Sequence, residues 1–308
     1  MTSRFLITGG AGFIGSHLTD EILRRGSEVV VLDDFSTGRR ENLSDEVQVV
    51  EGSVLDIALV EQLAEGCAGI FHLAAVASVP RCNELWMDSH RVNQTGTIAV
   101  LSASRNLGGI PVVYASSAAV YGDQGVSQIS EEARLQPLSP YGADKLGSEL
   151  HGRVAATLFR VPNIGLRFFN VYGPRQDPNS PYSGVISIFS ARAAAGLPIT
   201  IHGDGQQTRD FVFVADVVSH LFRAMEVTRQ PCGASGVFNV CTGNGHSVSE
   251  LAQLVVAFTQ STSPICNGPG RAGDIRVSVG DPRAARTALG VSADISLQDG
   301  LRQLLNSD

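Results

Sequence analysis

Short apolar runs and helix-periodic stretches alternate along the first half of the sequence. Residues 4–8 form an apolar run that predicts a buried strand, and the periodic stretch after the following glycines predicts a helix that ends before Gly26. Further apolar runs at 28–32, 47–50, 69–75, 112–116 and 163–169 predict more strands, with a long helix at 86–108 and another from Pro140. This alternation predicts a doubly wound α/β fold with about seven mostly parallel strands.

The second half of the sequence departs from that alternation. From residue 170 the composition shifts towards proline, glycine and serine, which predicts a smaller lobe at 170–308 beside a larger domain at 1–169. The apolar run at 236–240 predicts a strand that returns to the main sheet, so the two parts are interleaved. Ser247, with Glu250 three residues later, predicts the capped start of a helix.

Composition and charge limit the classes of function. The 308 residues are 43% hydrophobic and 17% charged, an ordinary globular composition. The formal net charge of −7 gives no support to a nucleic-acid partner, and no apolar run approaches the roughly 18 residues of a membrane span. The N-terminus leads into a strand rather than a signal peptide, and the five scattered cysteines lack a zinc-binding spacing. These features predict a metal-free cytoplasmic protein with reduced thiols.

A glycine-rich turn after the first strand is the first candidate for chemistry. Gly9, Gly12 and Gly15 precede a predicted helix, and Asp33 closes the second strand. Such a turn brings backbone N–H groups and a helix N-terminus against a pyrophosphate, and a terminal acid about 20 residues on binds the adenosine ribose hydroxyls. Because a carboxylate repels a 2′-phosphate, the pattern predicts a site that prefers NAD to NADP. Arg39 and Arg40, which lie in the loop after Asp33, favour NADP instead, because their charges could bind a 2′-phosphate.

Tyr141 and Lys145 are the second candidate. Pro140 suits the first turn of a helix, on which residues four apart share a face. A free phenol has a pKa of about 10, and a neighbouring ammonium lowers that pKa by favouring the phenolate. The pair is therefore predicted to act as a general base near neutral pH. The alternative is a surface tyrosine beside a solvated lysine.

The run Gly-Gly-Ala-Gly-Phe-Ile-Gly at 9–15 resembles the extended short-chain dehydrogenase/reductase family, and later motifs follow that family's order across nearly the whole chain. The resemblance implies bound NAD. The family's usual acid near the adenine is Ser53 here, so adenine contacts are predicted to rely on backbone groups and Asp56. The resemblance also implies that Asn93 supports the active-site backbone, whereas His72 is interpreted as a core histidine. The predicted cofactor-binding residues are Gly9, Gly12, Phe13, Ile14, Gly15, Asp33, Ser53, Val54, Leu73, Ala74, Ala75, Tyr141 and Lys145.

Ser117 ends the fifth predicted strand. By the same resemblance it is the hydroxyl that hydrogen-bonds the reacting sugar oxygen; capping of its own turn is the alternative. It is followed by Ala118 and Ala119, where relatives that eliminate water carry an Asp-Glu pair and decarboxylases usually carry a Glu second. Since alanine transfers no proton, the pair argues against a 4,6-dehydratase and, to a lesser degree, against a decarboxylase.

The resemblance also implies a nucleotide-sugar site in the smaller lobe. Arg209 and Arg271 match two phosphate-binding motifs, and arginine suits phosphate because its planar fork donates two parallel hydrogen bonds. His202 is predicted either to stack on the base or to face solvent. Ser278 stands where a bulky tyrosine restricts relatives to plain hexoses, so it predicts room for an N-acetyl group unless it faces away from the pocket. The predicted substrate-binding residues are Ser117, Asn170, His202, Arg209, Arg271, Asp274 and Ser278.

Together these motifs resemble those of UDP-glucose 4-epimerases, including members that accept N-acetylated sugars. The resemblance implies an NAD-dependent isomerase of a UDP-sugar and a homodimer paired through helices at 86–108 and 141–158. Two alternatives stay open. One is a 4-epimerase or decarboxylase of UDP-glucuronate, which Asp177 opposes because 4-epimerases of that sugar tend to carry an arginine there. The other is an NAD-sensing regulator without turnover, which loss of Tyr141, Lys145 or Ser117 would have favoured.

Overall fold

A parallel sheet of seven strands forms the centre of the computed structural model, which describes residues 3–125, 128–177, 184–230, 233–270 and 274–306. Numbered along the whole chain, its strands are β1 (Arg4–Thr8), β2 (Glu28–Asp33), β3 (Gln48–Glu51), β4 (Gly69–His72), β5 (Val112–Ser117), β6 (Asn163–Phe168) and β10 (Gly236–Val240). Their order is β10-β6-β5-β4-β1-β2-β3, and all six neighbouring pairs are parallel. The predicted doubly wound fold is confirmed.

Helices cover both faces of this sheet. Two separate apolar clusters, one on each face, contain the buried side chains of the strands and of the helices packed on them. The helices of this part are α1 (Phe13–Arg24), α2 (Ile57–Ala64), α3 (Val79–Glu84), α4 (Trp86–His90), α5 (Gly96–Asn106) and α6 (Pro140–Phe159). Gly26 follows α1 with a φ of +73°, the left-handed conformation that ends a helix, as predicted.

One predicted helix is interrupted. Between α4 and α5 the residues Arg91–Thr95 form a π-helical turn, so the stretch predicted as a single helix at 86–108 has three segments. A π-turn inside a helix is rare and is frequent at functional sites. It contains Asn93, which the sequence marked as unfavourable in a helix interior.

The smaller lobe surrounds strand β9 and has its own apolar cluster. Ser247 accepts a hydrogen bond from the backbone N–H of Glu250 at 3.0 Å, which confirms the predicted cap. The division of the chain near residue 170 stays a prediction. The strands of the lobe are β7 (Asn170–Tyr172), β8 (Ile199–His202), β9 (Thr208–Phe213), β11 (Gly245–Ser247), β12 (Ile265–Gly268) and β13 (Val277–Ser278), and the remaining helices are α7 (Val185–Ala194), α8 (Val214–Thr228), α9 (Val248–Thr259), α10 (Arg283–Leu289) and α11 (Leu297–Leu305).

Within the described ranges, no helix is both long enough and apolar enough to cross a bilayer. Four of the five cysteines lie in those ranges, and each of these four is a free thiol. The same residues include no group of three or more His, Cys, Asp or Glu side chains arranged to hold a metal ion.

Candidate active site

A cavity of about 930 Å³ lies at the carboxyl ends of the central strands. Its walls come from the segments that follow β1, β2, β3, β4, β5 and β6, where doubly wound sheets bind their ligands. The thirteen residues given above as the cofactor-binding set all line this cavity, and so does Ser117. The fold therefore brings together residues that lie as far apart in the sequence as Gly9 and Lys145.

The glycine turn closes tightly around the start of α1. Gly9 has a φ of +73°, and a Cβ there would lie 2.6 Å from the backbone nitrogen of Ala74, so a side chain does not fit. The first turn of α1 contains no acidic residue, and its N-cap Gly12 has no side chain to occupy the free N–H groups. A negatively charged pyrophosphate is the ligand that such a helix end favours.

Asp33 lies at the end of β2 on the wall of the cavity. Its two carboxylate oxygens accept backbone hydrogen bonds from Ala11, at 2.9 Å, and from Phe35, at 3.0 Å. Burial raises the pKa of this carboxyl, while the two backbone hydrogen bonds oppose that shift. The carboxylate is fixed against the glycine turn, in the place that suits ribose hydroxyls. The uncapped helix end, the glycine cradle and this acid together fit NAD.

Ser117, Tyr141 and Lys145 line the same cavity from two elements. Ser139 caps α6 by accepting a hydrogen bond from the N–H of Gly142 at 3.1 Å, so the helix begins where Tyr141 and Lys145 share one face. The ammonium of Lys145 donates to the carbonyl of Ala115 at 2.9 Å and lies 5.7 Å from the centre of the Tyr141 ring. The hydroxyl of Ser117 accepts the N–H of Ala119 at 3.2 Å, so this serine caps its turn and also faces the cavity.

Burial dominates the electrostatics of the pair. It raises the pKa of Tyr141 to about 12, and the hydrogen bond with Ser117 only partly offsets that effect. Burial lowers the pKa of Lys145 to about 8, against the attraction of Cys82, Asp144 and Glu149. The lowered tyrosine pKa expected from the sequence is therefore not found in the protein alone. At neutral pH Tyr141 is neutral and Lys145 is charged, and a phenolate needs that positive charge beside it.

His72 and Asn93 have structural roles beneath the site. His72 is 3% exposed, and its ring nitrogens contact the hydroxyls of Thr8 at 2.7 Å and Thr97 at 3.1 Å. Burial lowers its pKa to about 3, so the ring is neutral, which confirms the interpretation as a core histidine. The side chain of Asn93 accepts the N–H of Val76 at 2.8 Å and donates to its carbonyl at 3.2 Å. Val76 lines the cavity, so Asn93 supports the wall of the site as predicted.

A buried ionic network lies directly behind Ser117, and no local sequence signal indicated it. Both carboxylate oxygens of Glu149 accept from the guanidinium of Arg167, at 2.8 and 2.7 Å, and one also accepts from the hydroxyl of Ser116 at 2.5 Å. Arg167 donates to the hydroxyl of Tyr121 at 2.8 Å, and Tyr121 donates to the side chain of Asn239 at 2.7 Å. The end of β5 is therefore held by charge-assisted hydrogen bonds.

Two other acids that the sequence marked, Asp56 and Asp177, already have partners within the protein. Asp56 caps α2 by accepting the N–H of Leu59 at 3.0 Å and is not among the residues that line the cavity, so an adenine contact by its side chain stays a prediction. Asp177 does line the cavity, but its carboxylate lies 2.8 Å from a guanidinium nitrogen of Arg39. Its charge is therefore compensated, which weakens the argument that it would repel an acidic sugar.

Among the predicted substrate-binding residues that the structure describes, Ser117 lines this cavity and the others lie outside it. Arg209 on β9 is paired with Asp274 at 2.5 Å, and Ser278 on β13 is the register partner of Arg209. Asn170 is exposed on β7, which also pairs with β9. A ring nitrogen of His202 lies 3.2 Å from the carbonyl oxygen of Pro269. Arg271 lies outside the described residues. Strand β9 thus gathers several predicted substrate residues, with His202 apart on β8.

Comparison with known proteins agrees with this geometry. The chain matches the model of the NAD dependent epimerase/dehydratase family over residues 5–241. It is 39% identical to UDP-glucose 4-epimerase of Mycolicibacterium smegmatis over 305 residues, which cover 97% of this chain and 96% of the relative. The chain therefore belongs to the NAD dependent epimerase/dehydratase family, and NAD is its cofactor.

Two solved structures are also close. UDP-glucose 4-epimerase from Thermotoga maritima, solved with UDP-glucose, has a TM-score of 0.94 at 34% identity, with 98% of this chain and 97% of that chain covered. UDP-N-acetylglucosamine 4-epimerase from Methanobrevibacter ruminantium has a TM-score of 0.93 at 30% identity, with 99% and 98% covered.

Proposed function

We propose that this protein interconverts UDP-glucose and UDP-galactose by inverting C4 of the sugar through a 4-keto intermediate. One observation carries the proposal: Ser117, Tyr141 and Lys145 lie in the same cavity as the dinucleotide cradle. Ala118 and Ala119 form the adjacent turn, so the acid and base of an eliminating enzyme are replaced by methyl groups. With NAD bound, the site could therefore oxidise a sugar hydroxyl to a ketone and reduce that ketone again, but it offers no group there to expel water.

Bound NAD supplies the acceptor of the C4 hydride and later its donor. Tyr141, as a phenolate, takes the proton of the 4-hydroxyl while the C4–H bond breaks, which leaves a 4-keto sugar. The hydroxyl of Ser117 accepts the backbone N–H of Ala119, and it lies within reach of Tyr141, so its own proton can be donated to the sugar oxygen bound beside that tyrosine. After the keto sugar has rotated within the site, Tyr141 would return the proton to the 4-oxygen. Lys145 holds positive charge beside the phenolate throughout.

The test is incubation of the purified protein with UDP-glucose, UDP-galactose, UDP-N-acetylglucosamine and UDP-glucuronate separately, with C4 configuration read by proton NMR. We expect the two plain hexoses to reach the same equilibrium mixture from either side. Tyr141→Phe is the matched inactive control. Release of carbon dioxide, or loss of water from the sugar, would contradict epimerisation. Bound NAD without any conversion would support the regulator instead.

We further propose that N-acetylated UDP-sugars are accepted, because Ser278 is small and lies beside Arg209 on the neighbouring strand. Extra atoms in a packed site typically cost about 1–3 kcal/mol, which is about tenfold to a hundredfold in affinity. Ser278→Tyr should therefore abolish conversion of UDP-N-acetylglucosamine and spare UDP-glucose. Equal losses on both sugars, or no N-acetyl activity in the wild type, would contradict this role.

A second candidate substrate is UDP-glucuronate. The pairing of Asp177 with Arg39 weakens the objection to an acidic sugar. Arg81 also lines the cavity from α3 and adds a positive charge that an acidic sugar could use. Conversion of UDP-glucuronate to its C4 epimer in the same NMR assay, faster than that of UDP-glucose, would favour this reading.

We also infer that the protein forms a homodimer through α4 and α6. Leu150, Val154 and Leu158 are exposed at four-residue spacing on α6, and Trp86 and Met87 are exposed on α4, which packs against α6. An apolar stripe of this kind fits the same stripe on a second copy. Val154→Glu should convert a dimer to a monomer in sedimentation analysis, whereas a monomeric wild type would overturn the inference. A cytoplasmic location likewise stays a prediction from the cysteine pattern.

A further inference from the structure

An ion pair between Arg39 and Asp177 joins two walls of the cofactor cavity. A guanidinium nitrogen of Arg39 lies 2.8 Å from Oδ2 of Asp177, and both residues line the cavity. Arg39 belongs to the segment that follows β2 and its terminal Asp33, whereas Asp177 belongs to the loop that follows β7. The pair thus connects the adenosine side of the site to the first loop of the smaller lobe.

The backbone of Arg39 is bound to the same turn as the carboxylate of Asp33. The N–H of Arg39 donates to the carbonyl of Ala11 at 3.0 Å, and the N–H of Ala11 donates to Asp33 at 2.9 Å. A Cβ on the neighbouring Gly38 would lie 2.7 Å from an oxygen of Asp33. The segment therefore presents an arginine next to the acid that suits the ribose hydroxyls. This is the cation that a 2′-phosphate on that ribose would require.

We propose that Asp177 is a second determinant of the preference for NAD over NADP, and that it acts by occupying Arg39. A guanidinium that already donates to a carboxylate has fewer free N–H groups for a 2′-phosphate, and its positive charge is partly neutralised. It therefore binds a 2′-phosphate less well than a free guanidinium does. A 2′-phosphate would also be repelled by the negative charges of both Asp33 and Asp177, which line the same cavity. The Arg39 side chain is 58% exposed and that of Asp177 39%, so solvent screens the pair and a single charge change is enough to release the arginine.

A second ion pair on the same loop separates this charge effect from simple opening of the loop. Arg175 lies 2.7 Å from the carboxylate of Asp20 on α1, and the side chains of this pair are also partly exposed, at 32% and 44%. Breaking this pair loosens the loop and releases Arg175, which also lines the cavity, but it leaves Arg39 paired; the variant therefore tests whether the effect belongs to Arg39 in particular. Asp20→Asn is therefore the matched control for Asp177→Asn.

The experiment is a binding competition on the full chain. Wild type, Asp177→Asn, Asp20→Asn and the double variant Asp177→Asn with Arg39→Gln are equilibrated with an equal mixture of NAD and NADP. The nucleotide retained after desalting is released by denaturation and quantified by chromatography. This readout does not depend on the sugar or on turnover, so its failure is distinct from failure of the epimerase proposal.

We expect Asp177→Asn to raise the bound NADP-to-NAD ratio about fivefold to tenfold, in line with one unit charge a few ångströms away in a solvent-screened site. Asp20→Asn should leave the ratio at the wild-type value, and the double variant should return to it. A ratio for Asp177→Asn within twofold of the wild type would overturn the proposal. So would an equal rise in Asp20→Asn, or a rise that persists in the double variant.

Discussion

The two sides of the site are held in different ways. Behind Ser117, the Glu149–Arg167 pair is almost fully buried, with side chains 5% and 6% exposed, and each charged group has several partners. In the smaller lobe the predicted phosphate arginine Arg209 is joined to a single partly exposed acid, Asp274. The residues behind Ser117 are thus fixed by a buried, multiply bonded ion pair, whereas Arg209, which is predicted to bind the diphosphate, has a partly exposed acid as its partner. Preorganisation is most useful where charge develops during the reaction.

The largest effect should come from breaking the buried pair. Glu149→Gln leaves the Arg167 charge buried without its counter-ion, which typically costs about 3–5 kcal/mol of stability. Equilibrium denaturation with urea measures this loss. The matched control is Asp204→Asn, which weakens the exposed pair with Arg276, whose side chains are each 59% exposed, and should leave the midpoint unchanged. Similar losses in both variants would show that burial does not distinguish the two sides.

Removing the base should stop turnover without disturbing the cofactor. Tyr141→Phe keeps the ring but cannot take a proton, so we expect turnover to fall at least ~10²-fold, the usual contribution of a general base. Absorbance and chromatography of the released nucleotide should show a normal amount of bound NAD. Near-normal activity would remove Tyr141 from the mechanism.

In the smaller lobe, loss of the positive charge of Arg209 should weaken binding of the UDP-sugar. Arg209→Ala removes a charged hydrogen-bond donor worth about 1.5–3 kcal/mol, so KM for the UDP-sugar should rise about tenfold to a hundredfold. The effect on kcat should be smaller. Arg302→Ala, which removes an exposed arginine paired on α11, is the control and should change neither constant. A fall in kcat with unchanged KM would place Arg209 on the catalytic side.

The smallest effect should appear in the pH profile. Burial is the main reason that the pKa of Tyr141 is raised to about 12, so ionisation near neutral pH depends on positive charge nearby. Lys145→Met removes the protein's own cation and should move the acidic limb of kcat upward by about one pH unit or more. Lys145→Arg retains the charge and should restore part of the shift. An unchanged limb in Lys145→Met would show that the two side chains are not coupled.

The sequence by itself determined the elements whose signals are local. The glycine turn with Asp33, the Ser139–Pro140 start of α6 and the four-residue spacing of Tyr141 and Lys145 depend on neighbours within a few turns or one βαβ unit. The alternation of apolar runs fixed a parallel sheet because buried parallel strands need crossover helices. The predicted seven-stranded fold followed from these features, and strand β10 joins its edge beside β6.

Only the tertiary structure decided which distant side chains meet. Tyr121 and Asn239 are 118 positions apart, and Arg39 and Asp177 are 138 positions apart, yet each pair is in hydrogen-bond contact. No local pattern records such contacts, because strand order and loop path place the residues rather than their spacing. Burial decided the pKa of Tyr141 for the same reason, since the removal of water depends on how the whole cavity closes around the ring.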